Sequence, residues 1–400
     1  MRALAILLIV LGVTAAASRP AAADCGREME TKTVPLPVWS TDPNEGNTWG
    51  VMPVLVRVCP EDQRTQWIFA PGVTYNSIIH YTGTLRLFAY PDTDSALSVI
   101  ASASTRINYN FLVTWQRMPV SAGTWTDEGL LRVERSAFAR FFGLGPDTME
   151  GDETSYTRER AIGSWRRGLN LGGGLNLGAS VGFERDASDD EGVPGLPLSP
   201  EVFPTVHGMM DATVVGWQGV DVRYDTRGIT GDFSDRGVRL EAGGALVEGL
   251  ARSPNFYRAS AQARSVWPEL DWLSGGTRAA WTFVSDRDAP FPQLSTLGGS
   301  YLLRGFGEGR FYDRQAWEVE AEQRIRILQT KMFGVVTDWR VDPFIATGQV
   351  FDKFSDAFAR TQVAIGVGLR AYVHPNLVAR IDLATGGEGI KTYVEIGYPY

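Results

Sequence analysis

Along most of the chain apolar and polar residues take turns one for one, which is the period of a pleated strand and not of a helix. The clearest run is QAWEVEAEQRIRI, residues 315–327. There Trp317, Val319, Ala321, Ile325 and Ile327 share one face, and Glu318, Glu320, Glu322, Arg324 and Arg326 share the other. A water-soluble sandwich would bury the apolar face and wet the charges. A membrane barrel inverts this, with apolar residues toward lipid and charges toward the lumen. Either reading predicts a strand, and the rest of the chain decides between them.

Residues 171–183 carry Leu171, Leu175, Leu177, Ala179, Val181 and Phe183 on one side and only Gly, Asn or Ser on the other. A soluble core needs volume from a facing layer, and this strand offers bulk on one side alone. In 213–225, Val220, Val222 and Tyr224 alternate with Asp221, Arg223 and Asp225; in 236–247, Val238, Leu240 and Ala242 alternate with Arg239 and Glu241. Near the C-terminus Val363, Ile365, Val367 and Leu369 interleave with glycines and Arg370, and Leu377, Ala379, Ile381 and Leu383 with Arg380 and Asp382. The last strand presents Val394, Ile396, Tyr398 and Tyr400 on its apolar face, the expected assembly signal of a barrel that ends on an aromatic residue. At roughly 22 residues per strand and connection, residues 48–400 hold about 16 strands, an even number within the bacterial range. Closure leaves no free edge, which lipid would not tolerate. The expected fold is all-β, one transmembrane antiparallel barrel.

The N-terminus supplies the context. Met1 and Arg2 precede an apolar run from Ala3 to Ala17, and Ala21, Ala22 and Ala23 offer a cleavage site; this is the pattern of a signal peptide over residues 1–23. Residues 24–47 are polar and proline-bearing, and are expected to be a periplasmic lead-in to the barrel. Glycine at 44 of 400 and aromatics at 11% suit a sheet-rich barrel with aromatic girdles, whereas two cysteines are too few for a disulfide scaffold. Cys25 and Cys59 either join in an oxidising compartment or stay apart, and sequence leaves both open. A net charge of −8 argues against nucleic acid as a partner.

Catalytic chemistry finds little foothold. His80, His207 and His374 lie far apart and in no metal spacing. No nucleophile elbow or phosphate loop is present; Gly172, Gly173 and Gly174 read as strand. Glu318, Glu320 and Glu322 have arginines nearby, so charge compensation outweighs acid–base work. No enzyme activity, cofactor or metal is expected.

One stretch stands apart, LGGSYLLRGFGEGRFYDR at 297–314. Its five glycines make it a long loop. At its centre Arg304 stands between Leu303 and Phe306, and a guanidinium held away from bulk water needs a carboxylate partner. Leu303, Arg304, Gly305 and Phe306 resemble the Val/Leu-Arg-Gly-Phe/Tyr signature of the BamA/TamA-type outer-membrane proteins, the bacterial surface antigen family. Asp42 to Gly50, Phe141 to Thr148, and Tyr224 to Arg227 with Asp235 to Gly237 are similar to further segments of that family. The resemblance covers most of the chain from Asn44 to Tyr400. It implies a loop folded back into the lumen, with Arg304 paired to inward carboxylates, for which Glu320, Glu322 and Asp382 are the candidates. Two departures stand out. Members that fold or export other proteins carry periplasmic domains, and residues 24–47 are too few for one. Where the family often has Phe-x-Asp-x-Gly, this chain has Phe344 to Gly348 with Ala346 at the acidic position.

The expectation is therefore a monomeric barrel in a Gram-negative outer membrane. Its partners would be outer-membrane lipids, the barrel-assembly machinery during biogenesis and an unidentified protein or lipid cargo. It would aid insertion or transport through a lid-gated barrel whose seam is weak near Gly397 and Pro399. The alternative is a passive channel, or a surface-exposed structural or antigenic barrel without insertase activity.

Overall fold

The computed structural model describes residue 25 and residues 28–61, 64–189, 191–228, 234, 236–332, 335–373 and 377–396. The signal-peptide stretch, His374, Gly397, Tyr398, Pro399 and Tyr400 lie outside them. In chain order the strands are β1 (Glu30–Asp42), β2 (Gly46–Val58), β3 (Thr65–Phe69), β4 (Gly72–Asn76), β5 (His80–Ala89), β6 (Ser95–Ser104) and β7 (Tyr109–Arg117). They continue as β8 (Trp125–Phe141), β9 (Thr154–Gly172), β10 (Leu175–Asp189), β11 (Thr213–Asp225), β12 (Gly237–Ala251), β13 (Phe256–Leu270) and β14 (Leu273–Val284). The last are β15 (Ser295–Leu297), β16 (Phe311–Asp313), β17 (Gln315–Met332), β18 (Val335–Phe351), β19 (Gln362–Val373), β20 (Leu377–Thr385) and β21 (Ile390–Ile396).

All but β15 and β16 form one antiparallel sheet that closes by pairing β1 with β21. β3 and β4 are two halves of one crossing strand, since both pair with β2 on one side and β5 on the other. The barrel therefore has 18 strands, not the 16 expected from average spacing. Two features account for the difference. Residues 30–42, expected to be lead-in, form β1; its prolines and its threonines at 31 and 33 conceal the alternation. Several connections on one side are also tight hairpins. Gly173 and Gly174 form such a turn and do not continue a strand, with φ of +60° and +87°; a side chain at Gly174 would strike the Asp225 carbonyl.

The apolar faces point outward. Val220 is 69% exposed, Val181 59% and Ile365 53%, whereas Glu320 and Asp382 are 0% exposed on the inner side. A soluble protein would show the reverse, so the exterior is a hydrocarbon-facing surface. At one end Trp39, Trp49, Tyr75 and Tyr81 are direct cross-strand neighbours and make an aromatic row around β1–β5. Trp39 stacks on Trp49 at 5.4 Å, and Tyr75 meets Tyr81 at 5.2 Å. At the opposite end Trp125, Trp267 and Trp272 are exposed. Such paired girdles mark two membrane interfaces.

The end with the aromatic row also carries the long loops, including 285–314, which by the usual asymmetry is the extracellular end. There Phe141, Tyr156, Phe203, Met209, Phe291 and Tyr312 pack together as a cap beneath the loops. At the other end a disulfide joins Cys25 to Cys59, tying the approach to β1 onto the end of β2, with Cα atoms 5.9 Å apart.

The orientation of the faces is directly testable. Replacing outward-facing Val220 by Arg should destabilise the barrel by about 2–4 kcal/mol in lipid vesicles, read by denaturant unfolding. A value near zero would place that face in water.

Candidate functional site

The loop of residues 285–314 folds into the barrel as a lid. Its arms pair as the β15–β16 hairpin, so that 298–310 hangs inside. Gly298 adopts φ +107°, and any side chain there would collide with the Gly307 carbonyl. Leu303, Phe306, Phe311 and Leu297 pack against wall residues Ala316, Ala346, Val350 and Ala364. Ala346, at the position where the resembled family has Asp, is therefore part of an apolar seat for the lid. Gly305 lies so close to the wall that a Cβ would sit 2.6 Å from the Gly386 nitrogen.

Arg304 is fully buried and meets all three candidate carboxylates. Nη2 and Nε reach the two Glu320 oxygens at 2.8 and 3.2 Å, Nη2 reaches Glu322 at 3.4 Å, and Nη1 reaches Asp382 at 3.1 Å. The guanidinium also lies over the Phe344 ring, 3.5 Å from its centroid. Each carboxylate has a second cation. Arg278 bonds Glu318 at 2.9 Å and lies 3.6 Å from Glu320, Arg324 bonds Glu322 at 3.0 Å, and Arg370 and Arg380 bond Asp382 at 2.7 and 2.8 Å. Asp342 faces Arg370 at 3.4 Å. Five guanidiniums thus interleave with five carboxylates, all buried. Burial costs each ion its hydration, and only interleaved opposite charge offsets that cost.

The pattern that named Arg304 missed a second clamp in the same loop. Arg310, 3% exposed, pairs with Glu388: its Nε lies 2.8 and 3.0 Å from the two carboxylate oxygens and its Nη2 2.7 Å from one of them. It donates also to the Thr148 hydroxyl at 2.7 Å and the Thr148 carbonyl at 2.8 Å. Its guanidinium lies between the rings of Phe142 and Phe311. The Phe141–Thr148 segment is thereby the outer rim on which the lid is docked. The available signal was a second arginine in the same glycine-rich loop.

The lid touches both sides of the closure. The Tyr393 hydroxyl, on β21, donates to the Phe306 carbonyl at 2.7 Å. In the β1–β2 turn, the Asn44 amide donates to the Glu308 carbonyl at 2.8 Å, and Arg140 holds the Asn44 carbonyl at 2.7 Å. Glu308 still meets lumen water, yet the surrounding protein displaces enough solvent to hold its carboxyl above the ordinary carboxylate range.

Among the described residues the closure is short. β1 and β2 pair over their whole length, with Pro35 opposite Pro53. Neither proline can donate, so that pair is of the non-hydrogen-bonded kind, and by alternation the amides and carbonyls of residues 35, 37, 39 and 41 point away from β2, toward β21. Two of those four positions, Pro35 and Pro37, have no N–H. Among the described residues the β1–β21 register is the single pair Thr41 with Val394. Ile396 pairs with Ala379 of β20. Of the two remaining histidines, His207 lies in a loop and bridges the Asp288 and Arg252 carbonyls, and His80 is the first residue of β5, where φ is +61°.

Comparison with known proteins supports the architecture. BamA from Haemophilus ducreyi lacking POTRA domains 1–3 is similar over 91% of this chain and 75% of its own, with a TM-score of 0.54 at 14% identity. CdiB from Acinetobacter baumannii is similar over 93% of this chain and 66% of its own, with a TM-score of 0.50 at 14% identity. At such identities the likeness is one of fold. No protein-family model and no curated protein matches the sequence.

Arg304→Ala should destabilise the folded barrel by about 3 kcal/mol, because it strips a buried ionic network of one cation. Arg304→Lys keeps the charge but not the fork of bonds and should recover only part. Coupling of at least about 1 kcal/mol between Arg304→Ala and Glu320→Gln in a double-mutant cycle checks the contact; additivity would contradict it.

Proposed function

We propose that this chain is an outer-membrane barrel of the BamA and CdiB type that moves protein or lipid into or across the membrane by yielding at the β1–β21 seam under control of the lid. The observation that carries this reading is that the same loop bonds to both sides of a closure whose register, among the described residues, is a single pair, through Tyr393 on β21 and Asn44 beside β1. A lid docked across the closure couples its own displacement to opening.

Prolines at 35 and 37 also limit what the open seam can do. An incoming strand adds to a sheet edge by hydrogen bonds, and this edge of β1 lacks two donors. Transient passage fits it better than long templated pairing.

The test is a cross-link. Thr41→Cys with Val394→Cys should form a disulfide across the seam of the reconstituted protein. The locked barrel should lose its ability to speed folding of a denatured outer-membrane protein into vesicles, or to exchange fluorescent lipid between leaflets, and either single variant should retain it. Equal activity of locked and unlocked barrels would refute seam gating. A large steady conductance in planar bilayers would favour the passive-channel alternative.

A further inference from the structure

The lumen has two unlike walls. On β8–β20 the inward positions are rich in paired ions, and those of β17–β20 are buried beneath the lid. On β1–β7 they are not. Even-numbered residues face inward there: Met52, Asn76 and Thr84 are buried, whereas odd-numbered Val51, Val73 and Leu85 are 61%, 55% and 55% exposed on the outside. The inward set includes Val34, Leu36, Val54, Val56, Ile100 and Leu112, all half-buried. The lid covers the ionic half and leaves these aliphatic groups accessible from within the barrel. A purely structural lumen wall in contact with water gains nothing from such residues.

The charges on this wall are one-sided. The inward positions of β2–β7 carry no carboxylate, and their one ionised side chain is Arg86. Lys32 of β1 stands near the periplasmic mouth, and Asp42 lies at the far end by the lid. Among the described residues the polar contact of the Arg86 guanidinium is the Met52 sulfur at 3.6 Å. The groups packed beside it, Met52 and Gly72, bring no counter-charge. A cation without a carboxylate, set among aliphatic side chains beside a seam that opens to hydrocarbon, is complementary to a molecule with an anionic head and a hydrocarbon tail.

We propose that the open half of the lumen binds a single-chain anionic amphiphile of the long-chain fatty-acid class, its tail along Val34, Leu36, Val54 and Val56 and its carboxylate at Arg86. The site rests on the lid-gated reading only for its route of access from the bilayer. In detergent, monomers of the amphiphile are offered to the periplasmic mouth as well as to the outer wall, so binding measured there does not require the seam to open. Failure there counts against the site, and failure of the cross-link experiment counts against the seam.

The experiment uses the full chain in zwitterionic detergent and a fatty acid carrying a mid-chain diazirine, with photolabelled positions mapped by peptide mass spectrometry. Labels are expected on inward residues of β1 and β2. Arg86→Gln should reduce them roughly tenfold, the effect of losing one hydrogen bond to a charged group, and Arg86→Lys should retain most of them. Leu36→Trp should displace the tail while the folded band on an unheated gel remains. An unlabelled fatty acid should compete, and a quaternary-ammonium amphiphile of equal length should not. Labels confined to outward Val51, Val73 and Leu85, or indifferent to both Arg86→Gln and Leu36→Trp, would show annular detergent-like association and overturn the site.

Discussion

A guanidinium inside a barrel must be matched by carboxylates that the barrel wall itself provides, and that requirement organises this molecule. Arg304 enters on a loop, but its partners come from β17 and β20, on either side of the paired strands β18 and β19. Satisfying one arginine therefore fixes where the loop must lie relative to several strands at once. Buried ion pairs add little net stability against an apolar replacement; what they supply is a penalty for every arrangement that leaves a charge unpaired. The lid is held in one place chiefly because the alternatives are worse.

The remaining features follow from that placement. Once Arg304 is seated, Leu303 and Phe306 meet Ala346 and Ala364, and the small residues there make room for them. Arg310 then reaches the rim at Thr148. Just past its tip the lid meets β21 through the Phe306 carbonyl, and two residues farther on it meets the β1–β2 turn through the Glu308 carbonyl. A loop anchored in this way supplements a closure in which β1 lacks, at Pro35 and Pro37, two of the N–H groups that would point away from β2.

Much of this was legible in the residues. The strand period is carried by single-residue alternation, and the outward direction of the oily faces by the lack of bulk on the opposite side of segments such as 175–183. The carboxylates of Glu320 and Glu322 could be named because they occupy inward positions just after the lid. β1 was not legible: its outer face is Thr, Thr, Pro, Pro and Trp, and its aliphatic groups point inward, the reverse of the pattern used to find strands. The same inversion concealed the apolar half of the lumen. Nor could sequence show that Arg310 docks on Thr148, since 162 residues separate them and only closure of the barrel brings them together.

The central claim is that one arginine keeps the lid inside the barrel. Amide hydrogen exchange of the reconstituted protein measures this directly, on the peptide spanning 297–314. Slow exchange is expected there in the native chain and markedly faster exchange in Arg304→Ala, while strands β5–β7, on the half of the lumen that the lid leaves open, keep their protection. Rapid exchange of the lid in the native protein, or a lid peptide indifferent to loss of the guanidinium, would contradict it.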